Sequence, residues 1–240
     1  MEKIRVLGIS ASPRKHGSSQ YLLEVALESA REYAPEYIET ELYSCSGRLF
    51  KPCDACDQCH TKYGYCKVGD DDFAELRDKW IAADAVLYSI PVYHMGIPGN
   101  FKPFLDRIGQ SVVEGFTEKD LKVMGTIAQG SGMATGQESV MSQMLNHAVM
   151  MSGIPVGSDW PAAYIGSAGW NRLINDVHGI EKLYEEGDET AKIAVDSVKV
   201  MARNLVSLAM IIKAGGLARQ QELEEGGGYA IFLRRIRNGS

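Results

Sequence analysis

Strand-like apolar runs alternate with helical patterns along the chain, and no other feature restricts its fold as much. Residues 4–9 (IRVLGI) are a near-continuous apolar run, as a strand buried on both faces requires. Residues 18–33 follow at helical spacing, with Leu22, Val25, Ala26, Ser29, Ala30 and Tyr33 on one side. A weaker alternating strand covers 38–43. After an aperiodic stretch, Asp70, Asp71 and Asp72 open a helix carrying Phe73, Leu76 and Trp80, where carboxylates suit capping and the helix dipole. Strands are expected at 85–90, at 123–128 and within 154–165, with helices at 100–108 and 137–151. A last helix over about 189–213 places Val195, Val198, Ala202, Leu205, Leu208, Ala209 and Ile212 on one stripe, and Gly215 and Gly216 are expected to end it. Glu185, Glu186, Asp188 and Glu189 read as its solvated start.

This alternation implies an α/β fold: a doubly wound, flavodoxin-like sheet of five parallel strands. A cysteine-rich loop (45–70) is inserted after the second strand. Residues 1–214 read as one domain and 215–240 as a C-terminal extension. With 240 residues, 45% of them apolar, the chain can bury a full core. Its net charge of −6, without a long basic stripe, argues against a nucleic-acid partner. No apolar run approaches the length expected of a membrane span. The N-terminus reads as a strand rather than a signal peptide, so a reducing, cytoplasmic compartment is expected, where stable disulfides are not. The extension carries Arg219, Arg234, Arg235, Arg237 and a Gly triplet at 226–228; it is expected either to dock on a partner subunit or to be partly mobile.

Ligands of such sheets bind beyond the carboxyl ends of the strands. The first strand ends in SASPRKHGSSQ. Ser10, Ser12, Arg14, Gly17, Ser18, Ser19 and Gln20 there read as a phosphate cradle: hydroxyls and backbone N–H groups, a helix start and a neutralising guanidinium. GxGxxG is absent, and the plainer alternative is a serine cap after a turn. The third strand ends in Pro91, Val92, Tyr93, His94, Met95 and Gly96, a rigid turn able to face a flat ring; His94 suits a donor to that ring or a peripheral contact. The fourth ends in Gly130, Ser131 and Gly132. Three such loops at one sheet edge suit a ligand with a phosphate tail and a planar head.

KPCDACDQCHTKYGYC supplies Cys53, Cys56, Cys59 and Cys66. A cube-shaped iron–sulfur cluster needs four thiolates converging on one small object, and cysteines three apart on a wrapping loop supply three corners. Zinc sites more often pair two CxxC knuckles a dozen or more residues apart. The spacing leans toward a cluster, with zinc, a dithiol pair or unengaged thiols as alternatives. Cys45 reads as a small, partly buried residue. His60 reads as an exposed loop histidine, since four thiolates complete a site. Met133, Met141, Met144, Met150 and Met151 read as packing residues, and Tyr63, Tyr65 and Tyr93 as shields of a ligand or simple packing.

SASPRKHGSS followed by PVYHMGIPGNFKPFLDR resembles the flavodoxin-like NAD(P)H-dependent FMN reductase superfamily. Phe104, Asp106 and Arg107 match its F-x-D-R ending. The C-x2-C-x2-C-x6-C run resembles one branch, the iron–sulfur flavoproteins, and the likeness covers about residues 1–165. It implies FMN, phosphate on the first loop and isoalloxazine between the other two. It implies a [4Fe–4S] cluster on Cys53, Cys56, Cys59 and Cys66, and a homodimer or homotetramer in which flavin and cluster approach each other. The activity implied is a flavin-dependent oxidoreductase passing electrons between a two-electron and a one-electron partner, with NAD(P)H among the donors. Alternatives are an NAD(P)H-dependent FMN or quinone reductase without a cluster, and a non-catalytic electron carrier or redox sensor. No side-chain nucleophile or general base stands out.

Overall fold

In the computed structural model, which describes residues 3–112, 118–159, 164–172 and 176–238, the first apolar run forms β1 (Ile4–Ser10) and the amphipathic segment after it α1 (Ser18–Tyr33). β2 (Ile38–Ser44) follows, and then the cysteine loop, which holds a 3-10 turn at Gln58–Thr61. The alternation continues through α2 (Phe73–Ala82), β3 (Ala85–Pro91), α3 (Lys102–Val112), β4 (Val123–Gly130) and α4 (Gln137–Met150). Strand pairing is parallel throughout. Because β1 lies between β2 and β3, the winding reverses there, and the loops after β1 and β3 flank the switch point. Both faces of the sheet are covered: α1 packs on one, α2, α3 and α4 on the other.

The expected fifth strand is split. β5 (Ile154–Val156) pairs with residues 123–125 of β4, and β6 (Ser167–Trp170) with residues 127–130, so two short pieces fill one place in the sheet. The sequence between them begins Gly157-Ser158-Asp159, residues that disfavour a sheet interior. Within the expected range, residues 160–163 lie outside the described residues. β6 carries the chain back to the carboxyl edge, where residues 171 and 172 follow.

α5 (Gly179–Glu185) and α6 (Glu189–Ala218) come next, α6 capped by the Asp188 carboxylate, which accepts from the N–H groups of Thr190 and Ala191. Gly215 and Gly216 do not end α6, contrary to the sequence expectation; the helix runs through them. The reason is packing: a Cβ on Gly216 would stand 2.7 Å from the Phe232 ring and 2.9 Å from Ile236. The glycine lets the last helix, α8 (Ala230–Asn238), lie close, with α7 (Gln220–Gly226) between them. α6 is long and apolar enough to cross a membrane by length and composition alone, where no such run was expected. Its stripe of Val195, Val198, Ala202, Leu205 and Ala209 is buried with α1 and the sheet.

α8 also joins a buried ion network at the amino edge of the sheet. Arg235 pairs with Asp84 and, at 2.8 Å, with Asp120; Lys122 pairs with Asp120 at 2.8 Å and Lys213 with Asp84 at 3.4 Å. Burial and the neighbouring Arg235 charge push the Lys122 amine down to about 7, against the pull of Asp120. Residues beyond 214 therefore pack on the same body that they follow.

Candidate functional site

Three strand ends converge on a cleft of about 170 Å³. Ser12, Arg14, Gly17, Ser18 and Ser19 line it from the first loop, Pro91, Val92 and Tyr93 from the second, and Gln129, Gly130 and Ser131 from the third. At its floor, α1 begins at Gly17 with no side-chain cap, so the first-turn N–H groups of Ser19 and Gln20 have no intrahelical acceptor. Ser10 Oγ, at the end of β1, is buried without a hydrogen-bond partner. An open helix N-terminus, an exposed Arg14 and small hydroxyls together fit an anion such as a phosphate.

Several of the expected residues are held by bonds of their own. Ser18 is in the cleft, but its N–H and hydroxyl bond the Val177 carbonyl and its Oγ accepts from the Ile180 N–H, so it fastens the segment before α5. The Gln20 amide bonds Glu24 and Ser44. Tyr93 and Gly96 exchange backbone bonds of 3.1 and 3.0 Å around a two-residue turn, with His94 and Met95 at φ 45° and 62°. Non-glycine residues occupy this left-handed region at a cost of about 1–2 kcal/mol each, so the turn is held by its surroundings. Gly136 supplies them: at φ 109°, a Cβ there would meet Met95 Cα at 2.7 Å and Val92 at 2.8 Å. Tyr93, His94 and Met95 form an exposed tip beside the cleft, and Gly132 is buried in the adjoining loop. Met141, Met144 and Met151 are core, whereas Met133 and Met150 are exposed.

Asn171 and Asp176 also line the cleft and escaped the sequence reading. Asn171 directly follows β6, so recognising SAGW as a strand end would have found it. Lys182 and the His178 N–H hold the Asp176 carboxyl below its usual range.

The four cysteines line one cavity of about 400 Å³ against α3, with Asp54, Lys67, Asp106, Arg107 and Gln110. Cys45 and His60 are not among its lining residues. Cys45 is core, and burial pushes its thiol up to about 12. Among the described residues, no three His, Cys, Asp or Glu side chains are grouped closely enough for one metal ion. Four thiols around one cavity are a donor set that zinc and an iron–sulfur cluster both accept. The cavity is built from fixed pieces. Asp72 accepts from the Leu49 N–H at 2.7 Å and Asp71 from the Lys51 N–H at 2.8 Å, so the carboxylates expected to cap α2 chiefly hold the start of the loop. Between Cys59 and Cys66, the Gly64 N–H donates to the Ser111 carbonyl at 2.7 Å and Tyr63 to Asp120 at 3.2 Å. The six-residue gap thus holds an anchor driven into the body of the domain.

The doubly wound sheet, with a cleft at its switch point and a thiol-lined cavity against α3, defines a flavodoxin-like protein. The family model of the NADPH-dependent FMN reductases matches residues 4–166. An iron–sulfur flavoprotein of Methanocaldococcus jannaschii is 32% identical over 194 residues, covering 79% of this chain and 97% of the relative. Another from Methanosarcina thermophila is 29% identical over 201 residues, covering 84% and 98%. The chain belongs to the NADPH-dependent FMN reductase family and, within it, to the iron–sulfur flavoproteins; it is a flavin-dependent oxidoreductase. An NAD(P)H:quinone oxidoreductase of Methanothermobacter marburgensis shares the fold, with a TM-score of 0.59 at 15% identity over 85% of this chain and 99% of its own.

Proposed function

We propose that this protein binds FMN in the three-loop cleft and a [4Fe–4S] cluster on Cys53, Cys56, Cys59 and Cys66, and passes electrons between a two-electron and a one-electron partner. The observation that carries this reading is that these four cysteines, and not Cys45, line one cavity against α3, while three strand-end loops line the cleft. When bound, FMN supplies two-electron chemistry and the cluster single-electron transfer. The chain's own residues do the rest. The open N-terminus of α1 and Arg14 hold phosphate, while the braced turn at 93–96 and the loop at 130–132 border the ring. Asp71, Asp72 and the anchor at 63–64 hold the thiols in place. NAD(P)H as donor and a homodimer or homotetramer that brings flavin and cluster together belong to this reading through the family.

The deciding measurement is FMN, iron and acid-labile sulfide per subunit in anaerobically purified protein, with its visible spectrum. Near one FMN and four each of iron and sulfide supports the proposal. FMN with zinc, or with no metal, replaces it by a cluster-free reductase.

Arg14→Ala is expected to weaken FMN binding roughly tenfold, because an exposed charge-assisted contact lies at the low end of about 1.5–3 kcal/mol. Fluorescence titration reads the change, and an unaltered affinity would move the phosphate elsewhere. Ser18→Ala is a poor companion, since that hydroxyl holds the segment at 177–180.

A further inference from the structure

Arg107 lies at the base of the cysteine loop with its side chain wholly enclosed. Its donors all go to that loop or to the residue that closes it. Nε–H donates to Cys66 Sγ at 3.3 Å. Nη1 donates to the Lys51 carbonyl at 3.1 Å and to the Asp71 carboxylate, and Nη2 to the Val68 carbonyl at 2.5 Å and to Asp71 Oδ1 at 3.5 Å. The guanidinium carbon stands 4.0 Å from the Phe73 ring centroid. One planar cation thus ties the residues before Cys53 to those around and after Cys66, a task that a lysine ammonium, with no fork, cannot reproduce. Pairing with Asp71 would have satisfied the charge. The bond to sulfur goes further and places a fixed cation against one of the four cysteines.

We propose that Arg107 is a positioning residue for the cysteine site. It closes the loop around the cavity, fixes the Cys66 sulfur, and favours the more negative, reduced state of the group that the four thiolates hold. Hydrogen bonds and charges next to cluster sulfurs set potentials in this way. The second half rests on the cluster reading above; the first half does not.

Three full-length variants test it: Arg107→Gln, Arg107→Lys and Asp71→Asn, each checked for retained FMN as a sign of folding. Trypsin cleavage after Lys62 and Lys67, both exposed, should become about tenfold faster or more in the two Arg107 variants, given about 1.5–3 kcal/mol for a lost charged hydrogen bond. The cluster potential, read by redox titration, should fall in Arg107→Gln, which removes a cation, and rise in Asp71→Asn, which removes an anion. A merely structural ion pair predicts that both changes act alike, since each breaks the same pair. Unchanged cleavage in the Arg107 variants, or shifts of one sign in Arg107→Gln and Asp71→Asn, would overturn the proposal. If the wild-type protein lacks iron and sulfide, the cluster reading fails and the cleavage rates alone decide whether Arg107 closes the loop. Arg107 variants that lose FMN and fold are replaced by Asp71→Asn, whose potential must still rise.

Discussion

Cys53→Ser, Cys56→Ser, Cys59→Ser and Cys66→Ser are each expected to lose most of their iron and sulfide, while Cys45→Ser keeps both and all five variants keep FMN. A cube left with three thiolates holds one iron poorly. The loop itself should survive each change, because Asp71, Asp72, Gly64 and Arg107 hold its backbone without help from the thiols. Burial and the neighbouring Cys53, Cys56 and Cys66 raise the Cys59 thiol above its usual range. Metal ligation takes thiolates rather than thiols, so loading should release protons and improve as pH rises. Cys45→Ser has the opposite signature: a hydroxyl in an apolar core costs about 1–3 kcal/mol of stability and leaves the iron untouched. Iron assay and denaturant titration together separate the two patterns. Full iron in Cys66→Ser would break the ligand set, and loss of FMN with the iron would show that the cysteine loop also shapes the flavin cleft.

The parts of this molecule that were legible in its sequence are those set by near neighbours. Ser18 to Tyr33 forms one helix because its apolar spacing is local, and the turns after β1, β3 and β4 announce themselves through serine, proline and glycine. Contacts between distant segments are not written locally. Gly216 carries the local mark of a helix end, yet Phe232 and Ile236, brought in by the fold, make it a packing glycine inside α6. Asp71 and Asp72 look like caps of α2, but their carboxylates reach back to residues 49 and 51. Arg107 shares a buried face with Phe104, Ile108 and Ser111 on α3. An arginine on an apolar stripe was the available clue, though nothing nearby in sequence says that its partners are Cys66 and Asp71. The split of the fifth strand hid Asn171 for the same reason, since SAGW is too short and too small to read as a strand until β4 is beside it.

Arg235→Leu is expected to destabilise the protein by about 3 kcal/mol, the low end for breaking a buried ion pair. The low end applies because Lys213 and Lys122 remain to face Asp84 and Asp120. Arg235 is 6% exposed, Asp84 8% and Asp120 5%, so water cannot replace the lost partner. Burial alone would raise the Asp120 carboxyl, but Lys122 and Arg235 together outweigh it and hold it below its usual range. The sign follows from linkage. A carboxyl whose folded pKa lies below its unfolded value of about 3.9 contributes stability that is fully present above that value and lost as pH falls through the folded one. Without Arg235 the two values move together and that contribution shrinks. On the acid side the gap between wild type and variant should therefore narrow below about pH 4. Urea titrations at several pH values measure it. A gap under about 0.5 kcal/mol, the usual size for surface changes, would mean that α8 only rests on the body. A gap independent of pH would assign the loss to the packing of Phe232 and Ile236 instead of to charge. The network also reaches the cysteine loop, because Tyr63 donates to the same Asp120 that Arg235 holds. Iron retention in Arg235→Leu should accordingly fall along with its stability, whereas FMN, which we place in the cleft at the opposite edge of the sheet, should stay.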